Sequence, residues 1–113
     1  MDRLKGKIAL VTGAGTGIGR ACMMKFAEEG STVVGVSRTQ ENLDESLRLT
    51  KSLGGSGAVF SADLSDPVQA ERAVEFCIEK YGRIDILLNA AGVGYNLRET
   101  SVGSMDPIDT TPI

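Results

Sequence analysis

The chain has 113 residues and a mass of 11.9 kDa, 42% of them hydrophobic and 24% charged, which fits one globular domain and excludes disordered or collagen-like chains. Net charge is −3 and the pI near 4.9, and no run of Lys or Arg supplies the basic patch that nucleic acid requires. No apolar stretch reaches the roughly 20 residues of a membrane span, and the opening MDRLKGKIALVTG reaches glycine and polar residues too early for a secretory leader.

Short apolar runs alternate with longer amphipathic segments. Lys7–Thr12 (KIALVT) is nearly continuous and apolar, which predicts a strand buried on both faces and stopping at Gly13. A glycine-dense stretch leads into a predicted helix over Gly17–Glu29, with Ile18, Cys22 and Phe26 on its inner face and Gly30 suited to a C-terminal cap. Thr32–Ser37 (TVVGVS) is the second strand. Thr39 is placed to cap the next helix, in which Leu43 and Leu47 face inward and which Gly54 and Gly55 end.

Ala58–Ala62 (AVFSA) is a third, weaker strand. Asp66 as cap, Pro67 at the first helical position and Gln69 in a capping-box position mark the third helix. Val74, Cys77, Ile78 and Tyr81 then repeat at helical spacing before Gly82, and Ile84–Asn89 (IDILLN) is the fourth strand.

Strands alternating with helices, joined by connections too long for hairpins, imply parallel pairing through right-handed crossovers. The expected fold class is therefore α/β, a Rossmann-like doubly wound sheet in strand order 3-2-1-4. Its ligand crevice lies between strands 1 and 4, where the winding reverses. From Val93 onward the sequence is polar, rich in Gly, Ser and Thr, and follows neither period. The expected organisation is a dinucleotide-binding unit over 1–94 and a polar loop or tail over 95–113.

Chemistry-bearing residues cluster at the strand ends. Thr12-Gly13-Ala14-Gly15-Thr16-Gly17-Ile18-Gly19 lies between a strand and a helix. Glycines there let backbone amides approach a ligand, and a helix N-terminus offers free N–H groups to an anion. The spacing is neither G-x-G-x-x-G nor a P-loop; on its own the segment also reads as a flexible connection. The chain contains no histidine, which removes the commonest general base and metal ligand. Cys22 and Cys77 lie apart without metal-site spacing, and a reduced, cytoplasmic protein without a metal site is expected.

Thr-Gly-x-x-x-Gly-x-Gly after the first strand resembles the cofactor fingerprint of the short-chain dehydrogenase/reductase family. Asp63-Leu64 after the third strand, Ile84-Asp85 leading into the fourth and Asn89-Ala90-Ala91-Gly92 after it match that family in register. Ala90 stands where the family's signature has a second Asn. The resemblance covers about Leu4 to Gly94. It implies that Gly13, Gly15, Thr16, Gly17, Ile18 and Gly19 form the turn beside the pyrophosphate. Asp63 and Leu64 would hold adenine. Asn89, Ala90, Ala91 and Gly92 would lie along the ribose, with Thr12 bracing the Asn89 turn. Asp63 and Asn89 also read as ordinary turn residues.

An acid at the end of strand 2 would accept hydrogen bonds from the ribose 2′-hydroxyl of NAD. This chain has Ser37, Arg38 and Thr39 there, with no acid before Glu41. Arg38 suits a 2′-phosphate, aided by the Ser37 and Thr39 hydroxyls, although it also reads as a solvated charge. The expected cofactor is NADP(H) rather than NAD(H).

The resemblance also implies what these residues lack. Family members run to roughly 250 residues, and their catalysis needs a Tyr with a Lys four residues on, plus a Ser. Tyr81 and Tyr95 are followed at that spacing by Asp85 and Glu99, so no catalytic residue is assigned and the chain alone is expected to be inactive. The expected parent is an NADP-dependent oxidoreductase acting on a small alcohol or carbonyl substrate and assembling as a dimer or tetramer, with no membrane or nucleic-acid partner. The alternatives are a short, non-catalytic dinucleotide- or partner-binding module and a nucleotide-binding domain of another doubly wound family.

Overall fold

The computed structural model describes residues 3–90. The segment 95–113, expected as a loop or tail, lies outside them, as do Ala91, Gly92 and Val93. In chain order the elements are β1 (Ile8–Thr12), α1 (Gly17–Glu28), β2 (Thr32–Ser37), α2 (Gln40–Ser52), β3 (Ser56–Ser61), α3 (Pro67–Tyr81) and β4 (Ile86–Asn89). The four strands pair in parallel in the order β3-β2-β1-β4, the order expected of a doubly wound sheet.

β1 is buried along its whole length because its two faces meet different layers. Ala9 and Val11, with Val33 of β2, pack against Met23 and Ala27 of α1 and Leu43 of α2. Ile8 and Leu10, with Val34 and Val36, pack against Ala73 and Cys77 of α3. Each large side chain fully buried here, such as Leu10, Met23 or Leu43, contributes about 1.5–3 kcal/mol. On the α3 side, Phe60 and Phe76 stack with ring centroids 4.9 Å apart, bridging β3 to the helix.

The structure corrects four local expectations. Gly19, Met23 and Ala27 form the buried row of α1, whereas Ile18 is 48% exposed and Cys22 and Phe26 are only partly buried. The small residues at both ends of that row let the helix settle on the sheet one position round from the expected stripe. In α3, likewise, Ala73 and Cys77 seat the helix while Val74 and Ile78 are each 42% exposed.

β3 begins two residues earlier than expected, since Ser56 and Gly57 pair with Thr32 and Val33. Ladder pairing overrides the poor strand propensity of Gly57. β4 starts two residues later. Before it, the Asp85 carboxylate accepts the Ile8 N–H at 2.8 Å while the Asp85 N–H donates to the Ile8 carbonyl at 2.8 Å. A side chain thus stands in for one ladder acceptor. That bond from Ile8, then the bond from Arg83, hold the Asp85 carboxyl below the usual carboxylate range. No helix of the described residues is long and apolar enough to cross a membrane.

Candidate dinucleotide cleft

The turn from β1 to α1 must reverse direction within four residues. It does so through left-handed backbone at Gly13 (φ +68°) and Gly17 (φ +58°), conformations that glycine adopts without steric cost. Gly19 serves a different need, close approach. A Cβ there would stand 1.7 Å from the Gly13 carbonyl oxygen, so α1 starts directly against the end of β1. The Ala14 N–H donates to the Val36 carbonyl at 3.1 Å, tying the turn to β2.

Thr16 occupies the N-cap of α1 in extended conformation, yet its side chain accepts no first-turn N–H, and the first turn carries no acid. The free N–H groups and the positive end of the helix dipole are therefore left for something else. They open on a cleft of about 510 Å³ lined by Gly13, Thr16, Gly17, Ile18, Gly19, Ser37, Arg38, Ala62, Asp63, Leu64, Ser65 and Ala90. That volume lies within the range of small-molecule sites.

The wall at the end of β2 carries the exposed Arg38. Its backbone carbonyl accepts the Ser61 hydroxyl at 3.1 Å, and the Ser37 hydroxyl accepts the Thr39 N–H at 3.3 Å. Thr39 occupies the N-cap of α2 without capping it through its side chain, contrary to expectation, and does not line the cleft. The side-chain bond at this helix start comes instead from Ser37, two residues earlier, which takes the Thr39 N–H.

Asp63 projects from the loop after β3. Its Oδ1 accepts both the Ser65 hydroxyl at 2.7 Å and the Ser65 N–H at 3.0 Å. These two bonds, led by the hydroxyl and helped by the charge of Arg38, lower the Asp63 carboxyl below its ordinary range. Oδ2 keeps its acceptor capacity, with no partner among the described residues. The Asp63 N–H donates to Gln69 Oε1 at 2.7 Å, so Gln69 does not close the expected capping box on Asp66. Its amide instead spans from the Asp63 backbone to Asp66 Oδ2 at 3.3 Å, which anchors the loop.

On the β4 side, the Thr12 hydroxyl donates to Asn89 Oδ1 at 2.7 Å, bracing the two strand ends as expected. Ala90 lines the cleft and Asn89 does not; Ala91 and Gly92 lie outside the described residues. Gly15 is buried against Ser37 and does not line the cleft. The structure adds Ala62 and Ser65 to the lining. Ser65 was legible as the partner of an Asp-x-Ser turn; Ala62 carried no signal beyond ending a strand.

The family model for short chain dehydrogenase matches residues 7–111. The chain is 42% identical over 91 residues to a 3-oxoacyl-[acyl-carrier-protein] reductase from Thermotoga maritima, a match covering 80% of this chain and 37% of that protein. A short-chain dehydrogenase/reductase homolog from Bacillus subtilis, YusS, is 38% identical over 88 residues, covering 77% of this chain and 81% of that one. Among solved structures, an actinorhodin polyketide ketoreductase with NADPH superimposes with a TM-score of 0.73 at 30% identity, over 79% of this chain and 34% of that one. The chain thus spans little more than a third of the Thermotoga relative and of the ketoreductase but most of the Bacillus one. By sequence match and by fold, it belongs to the short chain dehydrogenase family.

Proposed function

We propose that this chain is the cofactor-holding part of an NADP-dependent oxidoreductase that moves a hydride between nicotinamide and an alcohol or ketone carbon. The observation that carries the reading is the uncapped, acid-free N-terminus of α1 opening on the same cleft as Arg38 and Asp63. A helix start with free N–H groups suits a pyrophosphate, and an exposed guanidinium suits a 2′-phosphate. Bound there, NADP(H) would supply the hydride chemistry, and the chain's residues would supply orientation and electrostatics.

In this reading Gly13, Thr16, Gly17, Ile18 and Gly19 cradle the pyrophosphate, with Gly15 packed behind them against Ser37. Asp63, through its open Oδ2, and Leu64 hold adenine. Ser37 and Arg38 read the 2′-phosphate, with Thr39 tied to Ser37 beside them, and Ala90, Ala91 and Gly92 follow the ribose on a turn that Thr12 braces through Asn89. Support for NADP comes from the absence of an acid between Ser37 and Thr39 and from the NADPH in the ketoreductase structure.

Titration with NADPH and NADH tests the assignment. NADPH is expected to bind about tenfold tighter, and Arg38→Ala to erase that preference, since a hydrogen bond to a charged group contributes about 1.5–3 kcal/mol. Equal affinities in the unaltered chain would overturn it.

The 113 residues by themselves are proposed to bind without turnover, because neither Tyr81 nor Tyr95 has a Lys four residues on. A second reading, a short non-catalytic dinucleotide-binding module, is favoured by the Bacillus homolog, 81% of which the match covers. A Tyr-x-x-x-Lys segment downstream in the coding sequence supports the first reading; its absence, with NADPH binding retained, supports the second.

A further inference from the structure

A buried junction behind the cleft goes beyond these contacts. Ser46 of α2 is fully buried. Its hydroxyl donates to the Ala14 carbonyl at 2.6 Å, with the Gly15 carbonyl at 3.3 Å, and accepts Arg20 Nε at 2.8 Å. A helical serine commonly turns its hydroxyl back to the carbonyl four residues earlier, here that of Asn42. Arg20 Nη2 occupies that carbonyl at 3.1 Å, and the Ser46 hydroxyl points across to the turn instead.

Ala14 is therefore held at both polar groups, its N–H by Val36 of β2 and its carbonyl by Ser46 of α2. In a planar trans peptide the carbonyl and the following N–H point in opposite directions. Pinning the Ala14 carbonyl toward α2 consequently aims the Gly15 N–H away from it. There is little slack: a Cβ on Gly15 would lie 2.9 Å from Ser37 Oγ and 3.0 Å from Asn42 Cβ.

We infer that Ser46, with its hydroxyl directed by Arg20, is a positioning residue for the dinucleotide: it fixes the spacing between the glycine turn and the Ser37–Arg38 wall. The inference rests on the reading of the cleft given above. A dinucleotide engages both sides of that spacing, whereas a ligand that meets only the Ser37–Arg38 and Asp63 wall is indifferent to it.

The test uses the full chain and its Ser46→Ala and Arg20→Lys variants, titrated with NADP+ and with adenosine 2′-phosphate, which lacks the pyrophosphate. Thermal unfolding without ligand is measured alongside. Ser46→Ala is expected to weaken NADP+ binding about fivefold, the equivalent of one lost hydrogen bond, and to leave adenosine 2′-phosphate within about twofold. Arg20→Lys keeps the charge but loses the fork, and its loss should fall between the two proteins. Arg20 is only partly buried, so this variant carries the test if Ser46→Ala fails to fold.

Unchanged NADP+ affinity in the variants overturns the inference. An equal fall for both ligands also overturns it, because that is general loosening of the fold. Unaltered protein that binds neither ligand removes the reading of the cleft, and this inference with it. Binding of both ligands, with no split between them in the variants, removes the inference alone.

Discussion

α1 and α3 both start at the C-terminal end of the sheet, and they start in opposite ways. α3 is finished: the Asp66 side chain accepts the Val68 N–H at 3.0 Å, Pro67 removes one donor, and Gln69 ties Asp66 to the preceding loop. α1 has Thr16 in cap position without a cap bond, no acid in its first turn, and glycine at its first and third positions. A side-chain cap is worth about 1 kcal/mol, so leaving α1 without one is a cost that a bound anion would offset. Thr39 leaves α2 without a side-chain cap as well, but the first turn of α2 carries Glu41; α1, with neither cap nor acid, is the helix whose start lines the cleft.

The largest expected effect breaks the geometry that allows this start. Gly19→Ala places a Cβ 1.7 Å from the Gly13 carbonyl oxygen and 2.4 Å from its carbon, a clash that only backbone displacement relieves. A loss of about 3 kcal/mol is expected in denaturant unfolding, together with loss of any NADPH-induced rise in melting temperature. Gly17→Ala is the control within the same turn. Its Cβ would meet nothing within 4 Å, and only the positive φ of +58° penalises it, at about 1–2 kcal/mol. Equal destabilisation by the two variants would show that close approach is not what fixes the turn.

A smaller effect of opposite signs comes from giving α1 the kind of start that α3 has. In Thr16→Asp a carboxylate caps the first turn and faces the positive end of the helix dipole, which should stabilise the unliganded protein by about 0.5–1 kcal/mol. The same charge occupies and repels the anion position, so NADPH affinity should fall at least tenfold, a free-energy change of about 1.4 kcal/mol. A gain in melting temperature with undiminished NADPH binding would mean that the α1 start is not the anion site.

The sequence made the two starts legible to different depths. Asp66, Pro67 and Gln69 announced α3 because capping chemistry is local, although Gln69 was drawn off to the Asp63 N–H by a loop whose path the sequence does not state. The glycine spacing announced the turn, and strand alternation announced the parallel pairing, since both follow from backbone sterics and period. What was missed depends on tertiary seating. Met23 rather than Cys22 faces the sheet because Gly19 and Ala27 let α1 come close. Ser46 has no part in the apolar pattern of its helix, yet it is buried under the turn and bonded to Arg20, 26 positions away. No periodicity reports a polar side chain whose partners lie in another layer.

The subtlest expected difference between the two regions is their response to acid. The first turn of α1 contains no titratable carboxyl, whereas the loop leading to α3 carries Asp63, held below its ordinary range first by the Ser65 hydroxyl, then by the Ser65 N–H. A carboxyl whose folded pKa lies below its unfolded value of about 3.9 stabilises the fold fully above that value. The contribution is lost as pH falls through the folded pKa. Asp63→Asn removes the titration but keeps an oxygen that can accept the Ser65 N–H. The unaltered chain should therefore hold a small melting-temperature advantage over Asp63→Asn near pH 6, and that advantage should shrink as pH falls through the folded pKa of Asp63. Curves that stay parallel across this range would mean that the Ser65 bonds do not distinguish the charged carboxylate.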